Sequence, residues 1–181
     1  LKAVKFIEEV TEYELHNDIA SGIIQAEIAS TFGYEGEGQI VGIADTGLDK
    51  GTYGITSGTN HRDFNGRVIR IIDRIGTTGH DDNGHGTHVA GSIAGSGEMS
   101  QGKIKGMAPK ASLVIQKVGD FLGKVHVDSF EDILQEAYDN GVRIHNNSWG
   151  KSPDGSYGFD SSDLDSFVWS HRDMLVVVSA G

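Results

Sequence analysis

Short runs of apolar residues alternate along this chain with longer segments in which apolar residues recur at helical spacing. Five runs predict strands, and several are apolar throughout, as strands buried on both faces are; they are residues 39–45, 67–73, 111–118, 142–149 and 174–180. Four segments predict helices, namely residues 17–32, 84–95, 129–140 and 162–172. This alternation is typical of a mostly parallel sheet with helices on both faces, so the sequence predicts the doubly wound α/β class.

Two of the predicted helices carry a capping signal near their start. Ser129 precedes Asp132 by three residues, and Ser162 precedes Asp165 in the same way, which is the spacing of a capping box. Gly141 is a stop signal for the first of these helices. We therefore expect one helix to begin at Ser129 and another at Ser162.

Polar residues lie where three of the predicted strands end. Asp45 closes the first strand, residues 147–149 close the fourth, and residues 179–181 end the last. Ligands of a doubly wound sheet bind outside the carboxyl ends of its strands. We therefore expect these segments to lie along one functional edge.

The composition excludes several kinds of site. The 181 residues include 26 acidic and 15 basic side chains, and the net charge of −11 repels nucleic-acid phosphates and anionic membrane surfaces. Cysteine is absent, which excludes disulfides, thiolate zinc sites and a cysteine nucleophile. The longest apolar run, residues 174–180, is far shorter than the roughly 20 residues of a membrane-spanning helix. We expect no nucleic acid and no membrane among the partners.

The most specific chemistry lies in residues 82–91, Asp-Asn-Gly-His-Gly-Thr-His-Val-Ala-Gly. His85 opens a predicted helix, whose N-terminus opposes the imidazolium form, while a nearby carboxylate favours it. Glycines on both sides of His85 leave room for a peptide backbone to approach. A general base needs that access, so the pattern indicates His85 as a base.

Two other interpretations of the same stretch remain open. His85 and His88 are three residues apart, and with His80 nearby they could bind a metal ion. We favour a base and assign no metal, because a helix packed on the sheet would direct His88 away from the cleft. Residues 81–83, Asp-Asp-Asn, could bind Ca²⁺, but a solvated loop is the simpler interpretation.

Four segments, in order, resemble the signatures of subtilisin-like serine proteases, the subtilase superfamily. They are residues 45–47 (Asp-Thr-Gly), 84–91 (Gly-His-Gly-Thr-His-Val-Ala-Gly), 147–150 (Asn-Ser-Trp-Gly) and 176–181 (Val-Val-Val-Ser-Ala-Gly). The similarity extends from about Asn17 to Gly181 and is greatest to oxidatively stable alkaline proteases of the KP-43 type. It implies that residues 17–181 are the N-terminal part of a subtilisin-like peptidase domain, a truncated form of that α/β fold.

By this resemblance, Asp45 is the acid of an Asp-His-Ser triad and His85 is its general base. His88 resembles a second histidine of the family, which is buried and structural. The family's chemistry requires no cofactor, although a structural Ca²⁺ ion is compatible with it.

The resemblance also implies which residues bind a polypeptide substrate. Ser148, Trp149 and Gly150 would form a strand that pairs with the extended peptide, and Trp149 would contribute mainly packing. A second substrate-pairing strand would contain Gly123.

Two parts of the family's catalytic machinery are missing from these 181 residues. No serine lies in a Gly-Thr-Ser context, and the oxyanion-binding asparagine of the family would follow Gly181. We therefore expect the chain to be inactive alone, and to pair with the missing C-terminal half or with itself through the truncated sheet. The alternative is a non-catalytic subtilase-like module that binds peptides or a partner chain.

The first 16 residues are mixed and charged, and we interpret residues 1–16 as an N-terminal arm or the remnant of a pro-segment. Residues 12–15, Glu-Tyr-Glu-Leu, resemble the stretch before the mature start of KP-43-type proteases. Cleavage between His16 and Asn17 is therefore a hypothesis. A protease of this kind is expected to be secreted and extracellular.

Overall fold

The computed structural model describes residues 17–51, 61–76, 78–150 and 157–180, which build a five-stranded sheet. The strands are β1 (Ile40–Asp45), β2 (Val68–Asp73), β3 (Ser112–Lys117), β4 (Ile144–Asn147) and β5 (Leu175–Val178). They lie in the order β2-β3-β1-β4-β5, and every adjacent pair is parallel. The predicted parallel sheet is confirmed.

Helices cover the sheet on both faces. Those in the described ranges are α1 (Asn17–Ile23), α2 (Ala26–Thr31), α3 (His85–Ala94), α4 (Phe130–Asp139) and α5 (Phe159–Ser170), with short 3₁₀ turns at Arg62–Phe64 and Glu98–Ser100. Helix α3 packs on one face, and α4 and α5 pack on the other, which completes the doubly wound arrangement. None of these helices is long and apolar enough to cross a membrane.

Strand β1 shows how alternation along a strand sorts side chains between the two faces. Val41 and Ile43 join the core beneath α3, whereas Ala44 packs with residues of α4 on the opposite face. Asp45 lies two residues after Ile43 and therefore on the same face as Val41 and Ile43. The last residue of β1 therefore faces α3.

Each face of the sheet has its own hydrophobic core. The α3 side encloses residues from β1, β3 and α3, among them Ile43, Leu113, Ile115, Ala90 and Ala94. The opposite side encloses residues from β3, α4 and α5, among them Val114, Leu134, Ala137 and Phe167. Burial on both faces explains why several strands are apolar along their whole length.

The single helix predicted over residues 17–32 is wrong, because the segment forms two helices, α1 and α2. The helical conformation is interrupted at Gln25, whose backbone is left-handed with a φ of 57°. Ile23 and Ile24 are 76% and 65% exposed. Because the described part of the chain forms no core around these isoleucines, little there stabilises one continuous helix.

Only one of the two predicted capping boxes marks a helix start. Ser129 Oγ accepts a hydrogen bond from Asp132 N at 3.1 Å, which confirms the predicted start of α4. The prediction at Ser162 and Asp165 is wrong, because Ser162 N already donates to Gly158 O at 3.1 Å inside α5. That helix begins without a side-chain cap.

Arg67 anchors the far end of α3 to the sheet. Its guanidinium donates to Ala111 O (2.7 Å) just before β3, to Ala94 O (2.6 Å) at the end of α3, and to Asp63 O. Burial lowers the pKa of Arg67 and the nearby Asp63 raises it, but an arginine remains charged. The side chain therefore fixes the C-terminal end of α3 relative to β3.

Replacing Arg67 with methionine should destabilise the fold by about 2–4 kcal/mol, because three carbonyl groups lose their donor. Urea unfolding followed by circular dichroism measures the loss. The matched control is Arg62→Met at an exposed arginine five residues earlier, which should change the free energy of unfolding by less than about 0.5 kcal/mol. Equal effects of the two substitutions would contradict the anchoring role.

Candidate active site

Asp45 and His85, which the sequence suggests as partners, lie in direct contact. Asp45 Oδ1 and His85 Nδ1 are 2.8 Å apart. Asp45 is 2% exposed at the end of β1, whereas the side chain of His85, the first residue of α3, is 50% exposed. The pair therefore consists of a buried carboxylate behind an accessible imidazole. Its catalytic role stays a prediction.

The hydrogen bonds of Asp45 define the chemistry available to the imidazole. An ionised carboxylate only accepts hydrogen bonds, so Nδ1 of neutral His85 carries the proton and Nε2 is left as the acceptor. Thr46 N donates to the same oxygen, Oδ1, at 2.8 Å. Asp45 Oδ2 is buried and has no hydrogen-bond partner among the described residues. With Nδ1 bound to the carboxylate, Nε2 is the ring atom that can accept a proton.

Side chains fix the helix turn that carries His85. The first N–H groups of a helix have no partner within the helix. Here four of them are bound by side-chain oxygens: Gly84 N and Thr87 N by Asp81 (2.8 and 2.7 Å), His85 N by Asn83 (3.2 Å) and Gly86 N by Thr46 (2.9 Å). The turn cannot fray without losing these bonds, which holds the backbone of His85 in place.

Asp81 is the centre of this arrangement. Besides its bonds to Gly84 and Thr87, its carboxylate accepts hydrogen bonds from the hydroxyls of Thr46 (2.7 Å) and Thr87 (2.5 Å). Burial raises the pKa of Asp81, but these hydrogen bonds outweigh it and hold the pKa below its ordinary value. The expected solvated loop is therefore wrong for Asp81. The sequence signal for this capping role is the position of Asp81 three residues before Gly84, the residue that precedes α3.

Gly86 allows α3 to approach the end of β1. A Cβ atom at Gly86 would lie 2.4 Å from Gly47 O and 3.2 Å from Asp45 Cβ, so no larger residue fits without displacement. Gly47 has a φ of 123° and lies against the carbonyl groups of Gly79 and His80. The room that the sequence suggests for a substrate backbone is, at Gly86, filled by the contact between helix and strand.

Lys117, buried at the end of β3, ties the loop before α3 to the sheet. Its Nζ donates to His80 O and lies 3.4 Å from Asp82 Oδ2. His80 Nδ1 is also 2.7 Å from Asp82 Oδ1, and this bond lowers the pKa of Asp82. The loop that contains Asp81 is therefore held from the sheet as well as from the helix.

The predicted peptide-binding segment leaves the sheet beside the Asp45–His85 pair. The register of β1 and β4 pairs Ile43 with Asn146, and continuing it two residues places Ser148 beside Asp45. Ser148 Oγ accepts a hydrogen bond from Asn146 Nδ2 at 2.9 Å. This position is consistent with a role in binding, which stays a prediction.

Trp149 anchors the same segment. Its Nε1 donates to Ala44 O at 2.8 Å, and its ring lies 5.5 Å from that of Phe130. Ser179 Oγ donates to the carbonyl oxygen of Trp149 at 3.2 Å. Trp149 therefore packs against the core, as expected, while Gly150 beyond it is exposed.

Gly123 lies in a turn after β3 that reaches the loop before α3. Phe121 O accepts a hydrogen bond from Asn83 Nδ2 at 3.2 Å, and a Cβ atom on Gly123 would lie 3.4 Å from the same nitrogen. Asn83 also accepts the hydrogen bond from His85 N. The turn is therefore connected to His85 through one side chain.

His88 is exposed, so the expectation of a buried histidine at this position is wrong. In α3, Gly86, Val89 and Ala90 are buried toward the sheet, which leaves His88 on the outer side of the helix. Within the described ranges, no three His, Asp or Glu side chains converge closely enough to hold a metal ion. A Ca²⁺ site stays a prediction.

Comparison with known families agrees with this geometry. Residues 36–181, more than half of the chain, match the sequence profile of the Subtilase family. The chain belongs to the subtilase family. The matched range includes both Asp45 and His85 and all five strands of the sheet.

Relatives of this subtilase chain include an alkaline protease of Alkalihalobacillus alcalophilus, 33% identical over 99% of the chain and 44% of the relative. The serine protease/ABC transporter B family protein tagA of Dictyostelium discoideum is 33% identical over 91% of the chain and 10% of the relative. The serine protease AprX of Bacillus subtilis is 38% identical over 55% of the chain and 20% of the relative. The chain spans less than half of each relative, and the narrower resemblance to the KP-43 type stays a prediction.

Replacing Gly86 with alanine should destabilise the fold by about 1–3 kcal/mol, because the new methyl group pushes α3 away from β1. It should also shift the NMR signal of the proton on His85 Nδ1. The matched control in the same helix is Gly91→Ala, where a Cβ atom meets nothing within 4 Å. That substitution should stabilise the fold by up to about 1 kcal/mol through helix propensity. A similar loss in both variants would argue against the close contact at Gly86.

Replacing Asp81 with asparagine should destabilise the fold by about 2–4 kcal/mol at pH 7. The amide N–H group of asparagine would face N–H and O–H donors that now bond to a carboxylate oxygen. Since the pKa of Asp81 is lowered in the folded state, its contribution is complete above about pH 4 and is lost as the pH falls further. The stability difference from wild type, measured by urea unfolding, should therefore shrink below about pH 4. Asp128→Asn, at an exposed carboxylate, should show neither effect.

Proposed function

We propose that this chain is the Asp- and His-bearing part of a serine endopeptidase that hydrolyses peptide bonds in polypeptides. The observation that carries the proposal is the 2.8 Å hydrogen bond between buried Asp45 and half-exposed His85 in a chain of the subtilase family. Relatives described as serine proteases support it. A non-catalytic module has no chemical need for both residues.

In the proposed reaction, His85 is the general base. Its Nε2 takes the proton of a serine hydroxyl as the oxygen attacks the peptide carbonyl carbon, and later gives the proton to the departing amine. Asp45 orients the ring through Nδ1 and stabilises the imidazolium that forms. None of the serines within residues 1–181 has the family's Gly-Thr-Ser context, so we propose that this chain is inactive alone.

We place the segment that carries the serine on the open α3 side of β4 and β5. There, Ile144, Asn146 and Val177 line a cavity of about 410 Å³ together with Ile93 of α3. Val177 and its neighbour Leu175 are 43% and 58% exposed. An apolar face beside α3 fits another part of the same protein, and a second copy of the chain is the other partner that it fits.

Substrate binding would use the two segments that flank the Asp45–His85 pair. Residues 148–150 would pair with an extended peptide, and the turn at Gly123 would contact it from the other side. Their support is positional: Ser148 follows the strand next to β1, and the Gly123 turn bonds to Asn83. Extracellular location and removal of residues 1–16 stay predictions of the same proposal.

The test uses the full-length protein to which this chain belongs. His85→Ala and Asp45→Asn should each lower kcat for casein-derived peptides roughly 10⁴-fold or more, a magnitude taken from subtilisin, another member of the family. Both should also abolish labelling by a fluorophosphonate probe of serine hydrolases. His61→Ala, at an exposed histidine outside the site, should retain activity.

Two results would contradict the proposal. If His85→Ala were as active as wild type, the base would have to be another residue. If the wild-type protein bound peptides but neither cleaved them nor reacted with the probe, it would be a non-catalytic peptide-binding module.

A further inference from the structure

On the face of the sheet opposite α3, three buried polar side chains form a continuous hydrogen-bonded chain. His145 Nε2 lies 2.9 Å from Gln116 Oε1, and His145 Nδ1 lies 3.1 Å from Asn147 Nδ2. All three residues are at most 1% exposed. Gln116 Nε2 also donates to Ile133 O and to Glu136 Oε2, both at 2.9 Å. We refer to Gln116, His145 and Asn147 as the polar bridge.

The polar bridge passes over β1. Gln116 belongs to β3 and His145 to β4, and β1 lies between these two strands. The β1 residues paired with His145 and Gln116 are Gly42 and Ala44, which have little or no side chain. A Cβ atom on Gly42 would lie 2.7 Å from His145 Cδ2. The small residues of β1 therefore provide the space that the bridge occupies.

The bonds of the bridge specify the neutral form of His145 with its proton on Nε2. Both N–H groups of the Gln116 amide are used by Ile133 O and Glu136, so its oxygen faces His145 as an acceptor. The Asn147 amide nitrogen donates to His145 Nδ1 and also lies 3.4 Å from Val177 O. Burial agrees with this assignment, since it lowers the pKa of His145 to about 4.

Asn147 is the last residue of β4, immediately before residues 148–150. Its side chain bonds to His145, and its carbonyl oxygen accepts a hydrogen bond from Ser179 N at 3.1 Å. We propose that neutral His145 is a positioning residue: through Asn147 it fixes the end of β4 and the direction in which the peptide-binding segment leaves the sheet. Only the binding role of that segment rests on the proposed function.

Protonation of His145 would break the bridge on the side of the binding segment. A proton on Nδ1 would face the N–H group of Asn147, donor against donor. A bond could form again only if the Asn147 amide turned toward the ring its Oδ1, which has no partner among the described residues, and gave up its contact with Val177 O. The charged groups that reach the bridge are Glu136 from α4 and Arg74, which pairs with Glu136 at 2.7 Å. On this face β1 contributes Ile40, Gly42 and Ala44 and β5 contributes Val176, none of which is charged. Acid should therefore release Asn147 while the bond to Gln116 remains.

The first experiment measures hydrogen exchange in the chain by NMR. Two reporters lie beside Asn147: the indole N–H of Trp149, bound to Ala44 O, and the amide of Ser179. His145→Gln keeps a donor for Gln116 near the position of Nε2 but has no atom at the position of Nδ1, so the bond from Asn147 is lost and both reporters should exchange roughly tenfold faster relative to amides of β3. The control Val114→Ala removes packing on the same face of the sheet. It should not accelerate exchange at the two reporters more than at the amides of β3. Uniform acceleration in His145→Gln would overturn the positioning role.

The second experiment varies pH and begins with the wild-type chain. Nitrogen-15 NMR of the wild-type chain should show the Nε2–H tautomer of His145, with titration near pH 4 and faster exchange at the reporters below it. An Nδ1–H tautomer, or titration near 6.5, would overturn the proposal. Folding lowers the pKa of His145, so the unfolded chain takes up this proton first and stability decreases as the pH is lowered from 6.5 to 4. Over that range the folding equilibrium constant should drop roughly 100-fold. His145→Gln should lack this component.

The same variant in the full-length protein separates this proposal from the proposed function. His145→Gln should raise KM for an extended peptide severalfold with little change in kcat, and fluorophosphonate labelling should persist. An unchanged KM would overturn the positioning role. A wild-type protein that neither cleaves peptides nor labels would contradict the proposed function, while the exchange and pH results would still decide the role of His145.

Discussion

The first turn of α3 rests directly on the end of β1, and this contact sets the position of both residues in the candidate active site. It requires Gly86, since a Cβ atom there would lie 2.4 Å from Gly47 O. Thr46 reinforces the contact, because its hydroxyl accepts a hydrogen bond from Gly86 N and its own N–H donates to Asp45. The 2.8 Å bond between His85 and Asp45 is therefore a consequence of helix-to-strand packing as well as of charge.

The two carboxylates near this contact have different environments, which separates their roles. Asp81 accepts five hydrogen bonds from backbone and hydroxyl groups, and its lowered pKa reflects them. Asp45 accepts bonds from only Thr46 N and His85, both at Oδ1, and its other oxygen is buried without a partner among the described residues. Asp81 is thus committed to holding the helix start. Asp45 binds only one backbone N–H group besides the imidazole among the described residues, so its part in the site is to orient the ring of His85.

Local pattern predicted the order of strands and helices well, because burial on both faces leaves apolar runs and helical spacing in the sequence. The pairing of Asp45 with His85 followed from resemblance, and the structure brings the two together. What the sequence could not predict depends on contacts between distant segments. Thr46 meets Asp81 across 35 positions, and His145 meets Gln116 across 29, and no local pattern records either bond. From the sequence alone an aspartate in a polar loop is therefore expected to be solvated, although Asp81 holds the first turn of α3.

Strand β1 connects these observations, because nearly every one of its residues makes a different contact on which the fold or the candidate site depends. Val41 and Ile43 build the core beneath α3, and Asp45 continues their face into the candidate site. On the other face, Gly42 leaves space for the polar bridge, and the carbonyl oxygen of Ala44 accepts the indole N–H of Trp149. A shift of β1 by a fraction of an ångström would therefore disturb the Asp45–His85 bond and the segment after β4 together. The candidate catalytic pair and the proposed peptide-binding segment thus share one strand, which fixes their separation.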